Sequence, residues 1–203
     1  MIRPKLIVML KEPCPGRVKT RLGRDIGMIQ AAWWFRHHVK SVLRTLYAPR
    51  RWDMMLAVSP DVSGMSSRVW PRHLPRIPQG EGDLGARMLR LLHNQGPGPV
   101  CVIGGDIPGI NLAHIARAFA ALRTCDAVFA PACDGGYWLV GMRGIAPRSS
   151  AVFQNVRWST EYALSDSIAT LAGRRIALVD VLDDIDTAED LRRLKDVAPN
   201  IPR

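Results

Sequence analysis

The sequence predicts an α/β fold around a mostly parallel central sheet, and three observations lead to it. Short apolar runs, continuous rather than alternating, recur along the chain and end near Gly, Pro or Asp, as strands buried on both faces do. Segments with apolar residues at helical spacing lie between most of those runs, giving the strand–helix alternation of a parallel sheet. The 203 residues hold no internal repeat and no polar linker long enough to divide them, so residues 1–203 are expected to form a single domain.

The first strand is Lys5-Leu6-Ile7-Val8-Met9-Leu10. From about Ile26 to Leu46 the apolar residues Ile29, Ala32, Trp33, Phe35, Val39, Val42, Leu43 and Leu46 fall at helical spacing. Asp53 to Val58 is the second strand, closed by Ser59-Pro60-Asp61,. The stretch from Trp70 to Pro78, rich in Pro and Arg, is expected to be an irregular surface segment. Leu84 to Leu92 reads as a helix, Val100 to Ile103 as a wholly apolar strand and Leu112 to Leu122 as a helix. Ala127 to Ala130 and Tyr137 to Val140 are two strands around a tight Asp134-Gly135-Gly136 turn,. A helix over Thr160 to Leu171 would take Ser159 or Thr160 as its cap. Ile176 to Val179 is the last strand. The closing helix opens at Thr187, whose hydroxyl can cap it while Glu189 and Asp190 suit its positive end.

Composition narrows the functional classes. No segment approaches the roughly 20 apolar residues of a membrane span, and the apolar run near the N-terminus is too short for a secretory leader. Cys14, Cys101, Cys125 and Cys133 form no CxxC pair, which argues against a zinc site or a disulfide framework and suits a reducing, cytoplasmic setting. The net charge of +10 calls for an anionic partner. Its arginines are dispersed, however, with no basic run interleaved with aromatics, so nucleic acid is not the expected partner. No GxSxG or HExxH occurs, which disfavours nucleophile- and zinc-based hydrolysis. His37-His38, on a Trp-rich helix, is assigned to the surface or to packing.

Five constellations remain. Gly16-Arg17-Val18-Lys19-Thr20-Arg21, after the first strand, is a cationic turn where open α/β proteins hold phosphates, and it is neither a Walker A loop nor GxGxxG,. Gly104-Gly105-Asp106, at the carboxyl end of a central strand, offers a carboxylate suited to Mg²⁺ bridged to phosphates. Asp183-Asp184-Ile185-Asp186 follows the last strand and could supply a second carboxylate, with the choice among its three acids open. Gln79-Gly80-Glu81-Gly82-Asp83 could read a base or ribose, or could simply open a helix. Asp134-Gly135-Gly136-Tyr137-Trp138 exposes backbone amides beside two aromatics, as hairpin geometry alone would.

Taken as an ordered set, PGRVKTRL, GEGDLGARM, IGGDIPGI, PACDGGYWLVG, VRWST and DDIDTAEDL resemble the DUF2064 family. Its members have a GT-A fold, Rossmann-like and related to the nucleotide-diphospho-sugar transferases. They are similar to phospholactate guanylyltransferase and to the molybdenum-cofactor guanylyl- and cytidylyltransferases. The resemblance implies a phosphate loop of Gly16, Arg17, Lys19 and Arg21, and a nucleoside side including Gln79, Asp83 and Gly105. It implies Mg²⁺ or Mn²⁺ on Asp106 and Asp186, and an acceptor side of Asp134, Gly135, Gly136, Tyr137 and Trp158. Many relatives carry Gly-Ser-Asp where this chain has Gly104-Gly105-Asp106. The Trp33-Trp34-Phe35-Arg36-His37-His38 helix is unusual and is a candidate acceptor or homodimer contact.

Two reactions fit such a site. In nucleotidyl transfer an acceptor oxygen attacks the α-phosphorus of an NTP, helped by Lys19, Arg21 and Asp106 through positioning and electrostatics. In glycosyl transfer the sugar of an NDP-sugar moves instead. Asp106 is followed by Ile107-Pro108 rather than completing a DxD pair, which favours the first. A nucleotide-binding module without chemistry is a third reading, marked by binding that survives Asp106→Asn.

Overall fold

In the computed structural model of the protein the described residues are 2–144, 151–183, 185 and 187–197, with side chains described as far as 192. Seven strands form one sheet: β1 (Lys5–Lys11), β2 (Asp53–Ser59), β3 (Arg76–Pro78), β4 (Val100–Gly104), β5 (Ala127–Pro131), β6 (Tyr137–Met142) and β7 (Ile176–Leu178), in the order β3-β2-β1-β4-β6-β5-β7. The pairs β1–β2, β1–β4, β2–β3 and β5–β7 are parallel, and only β6 runs against its neighbours β4 and β5. The helices are α1 (Thr20–Ile26), α2 (Met28–Leu46), α3 (Asp61–Ser66), α4 (Leu84–His93), α5 (Leu112–Ala121), α6 (Ala163–Ala169) and α7 (Ala188–Val197).

Because successive side chains of a strand point to opposite faces, β1 feeds two cores. Leu6, Val8 and Leu10 pack with Phe35, Val39 and Leu43 of α2 and Ile115 of α5. Ile7 packs on the other face with Met88, Leu91 and Leu92 of α4 and with Phe153. Helices on both faces account for the continuous apolar runs. None of the helices among the described residues is long and apolar enough to cross a membrane.

Several elements depart from the pattern read in the sequence. The helix expected from about Ile26 to Leu46 is α2, and a short helix the apolar pattern did not indicate, α1, precedes it and ends at Gly27, whose φ is 95°. The stretch from Trp70 to Pro78 is not simply surface. Trp70 and Leu74 are buried, and β3 adds a short parallel edge strand beside β2. Arg76 organises this stretch by donating to the carbonyls of Met65, Ser67 and Trp70. Helix α6 begins at Ala163, without a side-chain cap. At α7, Thr187 Oγ1 accepts from Asp190 N–H while Thr187 N–H donates to the Asp190 carboxylate, a reciprocal cap.

The β5–β6 hairpin carries a bulge. Pro131 pairs with Tyr137 but Ala130 pairs with Leu139, so Trp138 is the extra residue,. Trp138 and Leu139, adjacent in sequence, therefore pack in the same core, while Tyr137 packs in the other.

Candidate active site

The sheet order reverses at β1, with β2 on one side and β4 on the other. In open α/β sheets ligands bind outside the carboxyl ends of the strands at such a switch point. A cleft of about 870 Å³ lies there, lined among others by Arg17, Lys19, Arg21, Gln79, Asp83, Asp106, Asp134, Gly136, Tyr137 and Trp158. Residues named from five separate stretches of sequence thus face one space.

The loop after β1 and the loop after β4 meet directly. Met9 is in register with Gly104, so the chain leaving β1 and the chain leaving β4 emerge side by side. Lys19 Nζ lies 2.7 Å from Asp106 Oδ2, the two side chains being 5% and 27% exposed. Lys19 caps α1 in the left-handed region, at φ 46° and ψ 47°, a conformation that a side chain with a Cβ enters at a cost of about 1–2 kcal/mol. Backbone strain in a ligand-facing loop is a mark of functional sites. At Gly105 a Cβ would come within 2.2 Å of Leu10 Cδ2, so glycine lets the Asp106 loop lie against β1.

The loop from Gln79 to Asp83 is partly architectural. Gln79 is buried, and its Nε2 donates to the carbonyls of Leu10 and Ala57, tying together the ends of β1 and β2. Asp61 accepts from the Gln79 and Gly80 amides, and Arg90 donates to the Gln79 and Glu81 carbonyls. Asp83 caps α4 by accepting from Ala86 N–H at 2.8 Å. Gln79 and Asp83 also line the cleft.

Opposite, Asp134 Oδ1 accepts from Gly136 N–H. Gly135 has φ 82°, and a Cβ there would lie 2.2 Å from the Glu161 carbonyl oxygen, so this turn seats on the segment leading into α6. Tyr137 shares a hydrogen bond with Ser167, and burial pushes its phenol pKa well up. Trp158 stands edge-on to Tyr137 and Phe153, with its indole N–H buried and unpartnered among the described residues. Hydrogen bonding to Asp183, and that carboxylate's charge, raise the Cys133 thiol pKa. Asp183 also accepts from Cys133 N–H, while Asp184 and Asp186 lie outside the described residues.

The family model described as "uncharacterized protein conserved in bacteria (DUF2064)" matches residues 42–160, more than half of the chain. The chain belongs to the DUF2064 family. No curated protein matches it by sequence. Among solved structures, a protein of Desulfovibrio desulfuricans G20, provisionally described as a nucleotide-diphospho-sugar transferase, is 28% identical at a TM-score of 0.86. That match covers 98% of this chain and 89% of the other. The 4-diphosphocytidyl-2C-methyl-D-erythritol synthase of Anaerococcus prevotii DSM 20548 is 11% identical at a TM-score of 0.58, over 98% and 96% of the chains. The manganese complex of Rv0371c from Mycobacterium tuberculosis H37Rv is 16% identical at 0.53, over 96% and 98%. The fold is that of nucleotide-diphospho-sugar transferases.

In this DUF2064 chain one residue assigned from the sequence to the surface or to packing lies near the Lys19–Asp106 pair. His38 sits on α2 within electrostatic reach of both Lys19 and Asp106; burial pushes its pKa down, against the pull of Asp106. Its ring stacks on Trp34 at 4.9 Å, and Nε2 is buried without a partner among the described residues. Helical position alone gave no sign of this, because the contact depends on the loop after β4. The neighbouring Trp33, 51% exposed and tilted against His37, faces outward.

A divalent cation fits the donor chemistry as a shared ligand, not as a caged one. No group of three or more acidic, His or Cys donors gathers among the described residues. Mg²⁺ and its analogues are commonly held by one or two carboxylates completed by phosphate oxygens and water, and the partly exposed Asp106 at the cleft can provide the first.

Proposed function

We propose that this protein is a divalent-metal-dependent transferase acting on a nucleotide donor, with nucleotidyl transfer from an NTP to a small acceptor as the reaction. The observation that carries the reading is the convergence of the Arg17-Lys19-Arg21 loop and Asp106 on one cleft at the switch point of the sheet. Cations that converge with a partly exposed carboxylate suit a polyphosphate accompanied by a metal.

Asp106 would hold the cation, with Asp186 as the second candidate ligand. When bound, the cation supplies Lewis-acid stabilisation of charge on the phosphates. Arg17, Lys19 and Arg21 bind phosphate oxygens and stabilise the pyrophosphate that leaves as the acceptor oxygen attacks the α-phosphorus. An acceptor phosphate is already ionised, so no strong base is required, and positioning with fixed charge carries the catalysis. Gln79, Asp83 and Gly105 lie on the nucleoside side, whereas Asp134, Gly135, Gly136, Tyr137 and Trp158 form the acceptor side. The cytoplasm, a reducing compartment, is compatible with four free cysteines,.

Glycosyl transfer from an NDP-sugar is the second reading. The description of the Desulfovibrio relative favours it, and the absence of a DxD pair at Asp106-Ile107-Pro108 weighs against it. A thermal-shift panel of NTPs and NDP-sugars, each with Mg²⁺ or Mn²⁺, tests both, since a ligand that binds the native state raises its melting temperature. Selective stabilisation by an NTP is expected. Stabilisation by NDP-sugars alone would turn the assignment to glycosyl transfer, and no metal-dependent stabilisation by either class would sink it.

A further inference from the structure

The structure assigns Lys19 a second duty: it is the resident counter-ion of Asp106, so a divalent cation gains that carboxylate only when donor phosphates draw the ammonium away. This rests on the proposed nucleotide-dependent transferase reading and deepens it.

The contact is close and sheltered. At 2.7 Å, with the lysine side chain 5% exposed, the ammonium occupies space on Asp106 Oδ2 that a cation would need. A buried ammonium deprived of its carboxylate would be strongly disfavoured. A metal ion arriving alone must therefore displace it while adding its own repulsion. Lys19 also holds a left-handed backbone, which starts α1 immediately after a residue whose side chain reaches Asp106 in the loop after β4. Such strain persists where surrounding structure over-determines it.

A polyphosphate changes the balance from both ends. Its oxygens offer Lys19 a replacement anion, with charge-assisted hydrogen bonds at least as good as those it leaves. The same oxygens bring ligands for the cation, which needs more than one carboxylate. Ammonium moves to phosphate, carboxylate moves to cation, and no charge is left unpaired. Phosphate and metal binding are then positively coupled through one side chain, and each must strengthen the other by the same factor. An idle site stays closed to free cations.

Direct Mn²⁺ titration, with free ion followed by its electron paramagnetic resonance signal, tests this without turnover. The wild-type protein without nucleotide is expected to bind Mn²⁺ weakly, and Lys19→Arg should do the same. Lys19→Met, which keeps an aliphatic stem but no charge, should bind it more tightly by about 5–150-fold, the usual range of coupling between ligands. Lys19→Gln serves as a second neutral variant should the first fold poorly. Adding Asp106→Asn to either must abolish the gain. Inorganic tripolyphosphate in the presence of a chelator should raise the melting temperature of the wild type and do less for Lys19→Met. Equal Mn²⁺ affinity in wild type and Lys19→Met overturns the exchange. If that shared affinity is tight and lost in Asp106→Asn, the metal-dependent reading survives. If Mn²⁺ binds to neither, and nucleotides stabilise the protein regardless of metal, both fall together.

Discussion

On the β1–β4 side of the cleft a lysine and an aspartate from distant stretches touch at 2.7 Å, on a backbone held at φ 46°. On the β5–β6 side the polar groups bond within their own rim: Asp134 accepts from Gly136 N–H, Tyr137 bonds Ser167, and Gly135 seats the turn on Glu161. The first side is a set of charges that a ligand can re-pair. The second is a wall of fixed shape, whose aromatics are held by packing against Phe129, Phe153 and one another. Binding strength and metal dependence should therefore reside on the first side, and the outline of the acceptor on the second.

The largest expected effect breaks the charged side outright. Asp106→Ala should cut turnover on the order of 100-fold or more, as removal of a preorganised electrostatic group does, while circular dichroism shows an intact fold. Retained metal-dependent donor affinity would remove Asp106 from the site. Next, Arg21→Ala should weaken NTP binding by about 10–100-fold, a charge-assisted hydrogen bond being worth about 1.5–3 kcal/mol. Calorimetry across nucleoside, mono-, di- and triphosphate should show the loss growing with phosphate number, and a loss equal for nucleoside and NTP would contradict the phosphate role.

On the fixed side the effects should appear in stability first. Gly135→Ala must place a Cβ at φ 82° against the Glu161 backbone, so unfolding in denaturant should show a loss of at least about 1–3 kcal/mol, the usual size of such strain. An unchanged midpoint would mean that the turn and the 161 segment can separate. The smallest effect concerns Arg157, which pairs with Asp166 and lies 3.8 Å over the Tyr162 ring, bracing the start of α6. Hydrogen bonds from Arg157 pull the Asp166 pKa from 3.8 down to about 2. A carboxyl with a lowered folded pKa stabilises above its unfolded value and loses that contribution as pH falls through the folded one. Melting temperature should therefore drop between about pH 4 and pH 2, and Asp166→Asn should flatten that part of the curve.

Much of this was legible in the sequence for physical reasons. Strands β1, β2, β4 and β5 are sandwiched between helices, so burial on both faces wrote unbroken apolar runs. The cationic loop and Asp106 stood out because both follow such runs. What escaped was non-local. Strand β3 is three residues at an edge, ending in proline, and its register depends on β2 rather than on its own pattern. Trp70 and Leu74 were hidden among Pro and Arg because Arg76 works inward on backbone carbonyls. His38 and the Lys19–Asp106 contact were missed because spacing reports which face a residue takes, not which distant loop covers that face. The sequence could also suggest Gln79 as a ligand group without revealing that two carbonyls already hold its amide.

The bulge at Trp138 has a consequence for how this hairpin can vary. One supernumerary residue is a shift of parity: it sends Tyr137 to the Phe129 and Ser167 side while Trp138 donates its indole N–H to the Asp180 carbonyl on the other. Deleting Trp138 itself would restore one-to-one pairing and leave the phenol opposite Pro131, whereas a one-residue change elsewhere in the paired arm would turn the phenol to the other face,. Length changes within the paired arms should then be tolerated in twos, with odd ones confined to the bulge position and the turn.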